Sequence, residues 1–282
     1  RVDGAIVANF FSEDEQGGGI AQVLYYTAVN PVGGDDVIYR GSSAGDTLAL
    51  YTGRSWSTSR QEEMGGGVGG TLLLDMKGGD DYIRAYSPLN SDVVDLGSGN
   101  DVIEIAVIGD GSEHKPDFNT LSVSRFEGGT GSDWLIFKPA DNSNINNNEG
   151  QTLRLTTGNA SGFENLGGSS ANETLYGDDG DNIIAGGGLG GMGGWYLDDD
   201  SFPTYGGVDI IYGLGGNDSL HGTGELYGGS GDDVLTTENE WGNSSDSEDI
   251  LDGGTGKDTM TGGSGADTFV IRAGDGSSTL AS

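Results

Sequence analysis

Asp133, Asp233, Asp258 and Asp267 each stand sixth in a nine-residue unit that opens with two glycines: GGTGSDWLI at 128–136, GGSGDDVLT at 228–236, GGTGKDTMT at 253–261 and GGSGADTFV at 262–270. One carboxylate beside a cluster of glycines suits a hard cation. Ca²⁺ takes six to eight oxygens at about 2.3–2.6 Å and accepts backbone carbonyls beside carboxylates. Glycine tolerates positive φ, so successive carbonyls can turn inward together. One such turn offers half a coordination shell, and two stacked turns offer a whole one.

Weaker copies keep the acid, replaced by its amide in one of them, and the apolar residue two places after it. They are MKGGDDYIR at 76–84, LGSGNDVIE at 96–104, GDDGDNIIA at 177–185, TYGGVDIIY at 204–212 and GLGGNDSLH at 213–221. They add Asp81, Asp101, Asn182, Asp209 and Asp218 as candidate metal ligands, and the same spacing adds Asp200 and Asp249. The turn glycines Gly99, Gly131, Gly216, Gly229, Gly231, Gly254, Gly256, Gly263 and Gly265 are the candidate carbonyl donors. Degenerate copies, GSSAGDTLA at 41–49 and GSSANETLY at 168–176, keep the rhythm and lose glycine.

The elements that must position these residues are short strands. Runs such as DVIEIAV, DWLIF, DTLALY and DTFVI are β-branched or aromatic and bounded by turn residues. The glycine-rich six is then a turn, nine residues make half a coil, and eighteen make a full one. This predicts an all-β solenoid of stacked coils.

The pattern Gly-Gly-x-Gly-x-Asp-x-U-x, with U apolar, resembles the RTX (repeats-in-toxin, haemolysin-type calcium-binding) family. The resemblance implies a right-handed parallel β-roll, with Ca²⁺ in rows between turns stacked on one edge. It also implies export in an unfolded state through a type I system. Strong copies concentrate in 167–282, expected to be the calcium-binding roll. Residues 1–166 read as a more irregular β-solenoid with long loops, continuous with it.

Composition narrows the alternatives. Acidic residues outnumber basic ones 45 to 12, for a formal charge of -33. Phosphate binding needs basic surface, so nucleic acid and anionic lipid are poor partners. Cysteine is absent, which excludes disulfides and Cys-ligated zinc. No apolar run approaches the ~18 residues of a membrane span. Gly numbers 56 and apolar residues make up 33 %, so a conventional core is thin and bound cations must supply part of the stability. The start at Arg1 and the C-terminal GDGSSTLAS suggest a piece of something longer.

Counting in nines places the turns on edges. Nonamers laid from 168, with short half-coils at 222–227 and 237–243, put Asn182, Asp200, Asp218, Asp233, Asp249 and Asp267 on one edge. Glu173, Asp209 and Asp258 fall on the other, and the first edge is expected to hold the more continuous ion row. In the N-terminal half, Asp81 and Asp101 are one coil apart, and a loop at 109–119 lengthens the next coil. Asp75, Asp95, Glu127 and Asp252 each stand six residues before a repeat Asp, either as extra ligands or as solvated strand ends. Segments 52–70 and 186–203 have no clear phase.

Catalytic patterns are weak beside these. GSSAG at 41–45 matches a nucleophile elbow around Ser43, but the residues after it read as a strand, and the histidines His114 and His221 sit in a loop and a repeat. Ser43 therefore reads as a degenerate repeat residue. GGTGKDT lacks the Ser or Thr that must follow a phosphate-loop lysine. Trp134 reads as core, and Trp56, Trp195 and Trp241 as end or loop anchors that could otherwise meet a partner or a glycan. The sequence thus predicts a non-enzymatic, extracellular, calcium-folded rod of a surface layer, adhesin or filament, capable of self-assembly or of meeting surface proteins and glycans. The alternative is the non-catalytic folding and secretion module of a larger hydrolase or toxin.

Overall fold

The computed structural model describes residues 23–27, 37–41, 43–45, 47–51, 72–86, 93–107, 125–139, 152–169, 172–187, 207–237, 247–273, 275–276 and 278–281. Among them the regular structure is β, apart from one 3-10 turn at Thr157–Asn159. All the strand pairs are parallel. No helix among the described residues is long and apolar enough to cross a membrane. Asp200, His114, Trp56, Trp195, Trp241 and the segments 52–70, 109–119 and 188–206 lie outside the described residues.

The chain forms two compact units. The first comprises residues 1–134 and 156–163. Its strands are β1 (Val23–Thr27), β2 (Val37–Arg40), β3 (Thr47–Tyr51), β4 (Leu72–Asp75), β5 (Tyr82–Tyr86), β6 (Val93–Asp95), β7 (Val102–Val107) and β8 (Arg125–Glu127), with β11 (Ala160–Ser161) added later. Odd and even strands segregate, in the orders β1-β3-β5-β7 and β2-β4-β6-β8-β11. Ser43 is followed by strand β3, where a nucleophile elbow needs a helix.

The second unit comprises residues 135–155 and 164–282. Its strands begin with β9 (Trp134–Pro139), β10 (Thr152–Arg154), β12 (Asn165–Gly167), β13 (Thr174–Tyr176), β14 (Ile183–Ala185) and β15 (Asp209–Gly215). They continue through β16 (Ser219–His221), β17 (Gly224–Ser230), β18 (Val234–Thr236), β19 (Ile250–Thr255), β20 (Thr259–Thr261), β21 (Thr268–Val270) and β22 (Thr279–Ala281). They divide between sheet I, β9-β12-β14-β16-β18-β20-β22, and sheet II, β10-β13-β15-β17-β19-β21. After β12 the chain crosses from one sheet to the other at each glycine turn. This is a parallel β-roll.

A three-residue strand sends one side chain inward, because side chains alternate across a strand. In sheet I these stack as Leu166, Ile184, Leu220, Leu235 and Met260 in exact register, all fully buried. In sheet II the column is Leu153, Leu175, Ile211, Leu226 and Leu251, equally buried. A buried Leu or Ile contributes about 1.5–3 kcal/mol. With one such residue per half-coil the core is two side chains thick, and the turns decide whether coils stack.

Candidate metal centre

The repeat acids lead into strands and stack in rows held by their own carboxylates. In the first unit Asp81 N–H donates to Asp101 Oδ1 at 2.7 Å, and Asp101 N–H to Asp133 Oδ1 at 2.8 Å. On the sheet I edge of the second unit, Asn182 N–H donates to Asp218 Oδ1 at 2.9 Å, Asp218 N–H to Asp233 Oδ1 at 2.8 Å, and Asp233 N–H to Asp258 Oδ1 at 3.1 Å. On the sheet II edge, Glu173 N–H donates to Asp209 Oδ1 at 2.8 Å and Asp249 N–H to Asp267 Oδ1 at 3.2 Å. The half-coil between Asp209 and Asp249 has no acid in the row, and Gly224 N–H donates to Asp249 Oδ1 at 2.7 Å. One oxygen of each repeat Asp is thereby spent on stacking.

The other oxygen has a different fate. Asp101, Asp209, Asp218, Asp233 and Asp258 are at most 2 % exposed. The Oδ2 of each is buried with no hydrogen-bond donor among the described residues. A bare buried carboxylate oxygen costs kilocalories unless something positive meets it. On the sheet I edge the space beside it is kept open by the first glycine of the nonamer. A methyl on Gly213 would collide with Asp218 Oδ2 and lie 2.6 Å from Gly228 O of the next coil. A methyl on Gly228 would collide with Asp233 Oδ2 and lie 2.6 Å from Gly253 O. Carboxylate oxygen and next-coil carbonyl thus border one small gap, which fits a cation bound jointly by side chain and backbone. Among the described residues no three acid or imidazole side chains converge, so backbone carbonyls must complete any shell.

The glycines named from sequence as carbonyl donors share a backbone feature. Gly99, Gly131, Gly216, Gly229, Gly231, Gly254, Gly256, Gly263 and Gly265 all have positive φ. At Gly256, with φ of 141°, a Cβ would overlap the carbonyl oxygen of Gly231 one coil away. These positions let coils approach closely. The opening glycines Gly213, Gly228 and Gly253, which border the gap, escaped the sequence reading, although each heads its nonamer.

A second row also escaped it. The residue before each repeat acid forms an outer ladder running in the opposite sense. Asn100 N–H donates to Asp80 Oδ1 at 2.7 Å and Ser132 N–H to Asn100 Oδ1 at 3.0 Å. In the second unit Asn217 N–H meets Asp181 Oδ1 at 2.6 Å, Asp232 N–H meets Asn217 Oδ1, and Lys257 N–H meets Asp232 Oδ1, the last two both at 2.8 Å. The legible signal was the recurring Asn-Asp and Asp-Asp pair.

Burial sets the electrostatics. It pushes Asp209 up to about 8, Asp101, Asp218 and Glu173 up to about 7, and Asp233 up to about 6. Stacking N–H bonds oppose the shift at each of the four aspartates, and Ser169 opposes it at Glu173. A divalent cation in the gap would reverse this by favouring the charged form.

The edge assignment needs correcting. Asp218 and Asp233 share an edge, and Asp249 and Asp267 share one, as counting predicts. Asp258 lies with Asp233, however, and Asp249 and Asp267 lie with Asp209. β18 lies in sheet I and β19, the next strand, in sheet II, so Asp249 leads into sheet II. Asn182 N–H bonds directly to Asp218, 36 positions on. The row Asn182, Asp218, Asp233, Asp258 is the unbroken one. Asp252 is neither an extra ligand nor a solvated strand end: it is buried and takes a two-pronged ion pair from Arg272 at 2.5 Å. Asp75 pairs with Lys77, and Glu127 with Arg125.

A family model of the RTX calcium-binding nonapeptide repeat matches residues 167–188, 203–224, 225–240, 236–269 and 243–280. Residues 167–280 carry RTX calcium-binding repeats. The matches omit 189–202, and the Asn182–Asp218 bond joins the repeats on either side of that stretch. No curated protein matches the chain. In these RTX turns Asp218, Asp233 and Asp258, with the opening-glycine carbonyls, are the groups that fit Ca²⁺. The bound ion would supply the positive charge that their second oxygens lack.

Proposed function

We propose that the chain is a calcium-folded structural rod that acts outside the cell, in a surface layer, adhesin or filament, with no catalytic role. The observation that carries this reading is the row of buried carboxylate oxygens at Asp218, Asp233 and Asp258, with glycine keeping the space beside each open and, at Asp218 and Asp233, a next-coil carbonyl across it. Such a row is unfavourable without cations and cohesive with them. Extracellular calcium modules bind at roughly 10⁻⁴–10⁻³ M, so folding would await export. Each site at ten times its dissociation constant adds about 1.4 kcal/mol, and several coupled sites rival the net stability of a domain. Ser219 Oγ and His221 Nε2 lie 2.9 Å apart, a contact within the single strand β16.

A second reading, a folding and secretion module of a larger exported protein, is favoured by the confinement of the matched repeats to 167–280. Circular dichroism during a Ca²⁺ titration tests the shared premise: β signal should appear with calcium and vanish with EGTA, and a signal indifferent to EGTA would remove both readings. Electron microscopy in millimolar Ca²⁺ separates them. The rod predicts filaments or lattices, the module monomers.

A further inference from the structure

The two edges of the second unit are built differently. On the sheet I edge, Asp218, Asp233 and Asp258 each leave Oδ2 without a donor. On the sheet II edge, hydroxyl groups occupy the equivalent places. Thr237 stands where the other turns have their opening glycine, since its N–H bonds to Thr261 O just as Gly222 N–H bonds to Thr236 O and Gly262 N–H to Ala281 O. Its Oγ1 donates to Gly262 O at 2.5 Å, the carbonyl equivalent to those that border the gaps on the other edge. Ser247 Oγ donates to Asp249 Oδ2 at 2.8 Å. Both groups that a cation would bridge are therefore already satisfied.

The same substitution recurs along this edge. Ser169 Oγ and N–H both donate to the Glu173 carboxylate. Thr223, in the half-coil that lacks an acid, donates Oγ1 to Gly207 O at 2.6 Å. Asp209 is the acid of this edge whose Oδ2 keeps no donor among the described residues.

We infer that calcium binding in this unit is uneven: the turns at Asp218, Asp233 and Asp258 take the ions, while the turn at Asp249 takes none because Thr237 and Ser247 stand in for the ion. The inference rests on the calcium reading above. Each hydroxyl supplies a hydrogen to one oxygen, where an ion would draw several oxygens together. The Asp249 turn thus holds its coils at fixed strength whatever the calcium level. The carboxylate edge tightens only when calcium is present.

Equilibrium dialysis of the full chain against Ca²⁺, with circular dichroism to confirm folding, tests this. Asp233→Asn should lose at least one bound ion. Asp249→Asn keeps an acceptor for Gly224 N–H and should lose none. Ser247→Ala and Thr237→Ala should likewise leave the count unchanged, and they decide the matter if Asp249→Asn does not fold. Loss of an ion in Asp249→Asn, or in either hydroxyl variant, overturns the inference. A wild-type chain that binds no calcium removes the underlying calcium reading instead.

Discussion

At the residue scale, the turns depend on close backbone approach more than on any side chain. Gly231 and Gly256 follow one another at the same turn position, with φ of 136° and 141°. A side chain at Gly256 would meet both the strain of positive φ and the Gly231 carbonyl. Left-handed backbone alone costs an ordinary residue about 1–2 kcal/mol. Gly256→Ala should therefore destabilise the calcium-loaded protein by about 2 kcal/mol or more, seen as a lowered thermal midpoint. Thr255→Ala, one residue away and exposed, should stay within about 0.5 kcal/mol. Equal midpoints for the two variants would show that the glycine ladder does not hold the coils. The repeat acids and these glycines were legible from spacing. The outer Asn and Asp ladder was not, because it pairs residues 15 to 36 positions apart across coils whose offsets vary; nor were the hydroxyl stand-ins, because Ser and Thr carry no repeat signal of their own.

At the element scale, strands were easy to read and coil phase was not. A three-residue strand such as Val234–Thr236 announces itself by one apolar residue after an acid. Which sheet it joins depends on how many turns precede it, and an insertion inside a turn changes the length without adding a turn. The stretch between Gly186 and Gly207 left the count intact because it is close to two nonamers long. The stretch between Thr237 and Ser247 resembled a short half-coil and moved Asp249, Asp258 and Asp267 to the wrong edges. The flanks of the first insertion have a direct consequence. Gly186 already bonds to His221 O as an opening residue, and a Cβ there would collide with Asp209 Oδ2. Deleting 189–206 joins Gly186, Gly187 and Gly188 to Gly207, Val208 and Asp209, which recreates Gly-Gly-x-Gly-x-Asp. The deletion variant should fold with calcium and keep its thermal midpoint within a few degrees. Failure to regain β signal at saturating calcium would mean that those 18 residues support the coil rather than interrupt it.

At the scale of the whole molecule, the formal charge of -33 makes protons and calcium alternative routes to the same compact state. Asp101, Asp209, Asp218, Asp233 and Glu173 are raised to between about 6 and about 8 in the metal-free fold, chiefly by burial. In an unfolded chain such groups titrate near 4. Between those limits the folded state binds more protons than the unfolded state, so stability falls as pH rises. Their contribution is complete below about pH 4 and is lost as pH climbs through 6 to 8. In EGTA the chain should therefore show more β signal at pH 5 than at pH 8. Calcium reverses the sign, because binding requires the charged carboxylates and releases any protons they hold. In millimolar Ca²⁺ the β signal should be retained at pH 8 and should need more calcium as pH falls toward 5. Circular dichroism across a grid of pH and calcium reads both slopes. A metal-free chain that loses structure on acidification to pH 5 would mean that the buried acids are not what keeps it open.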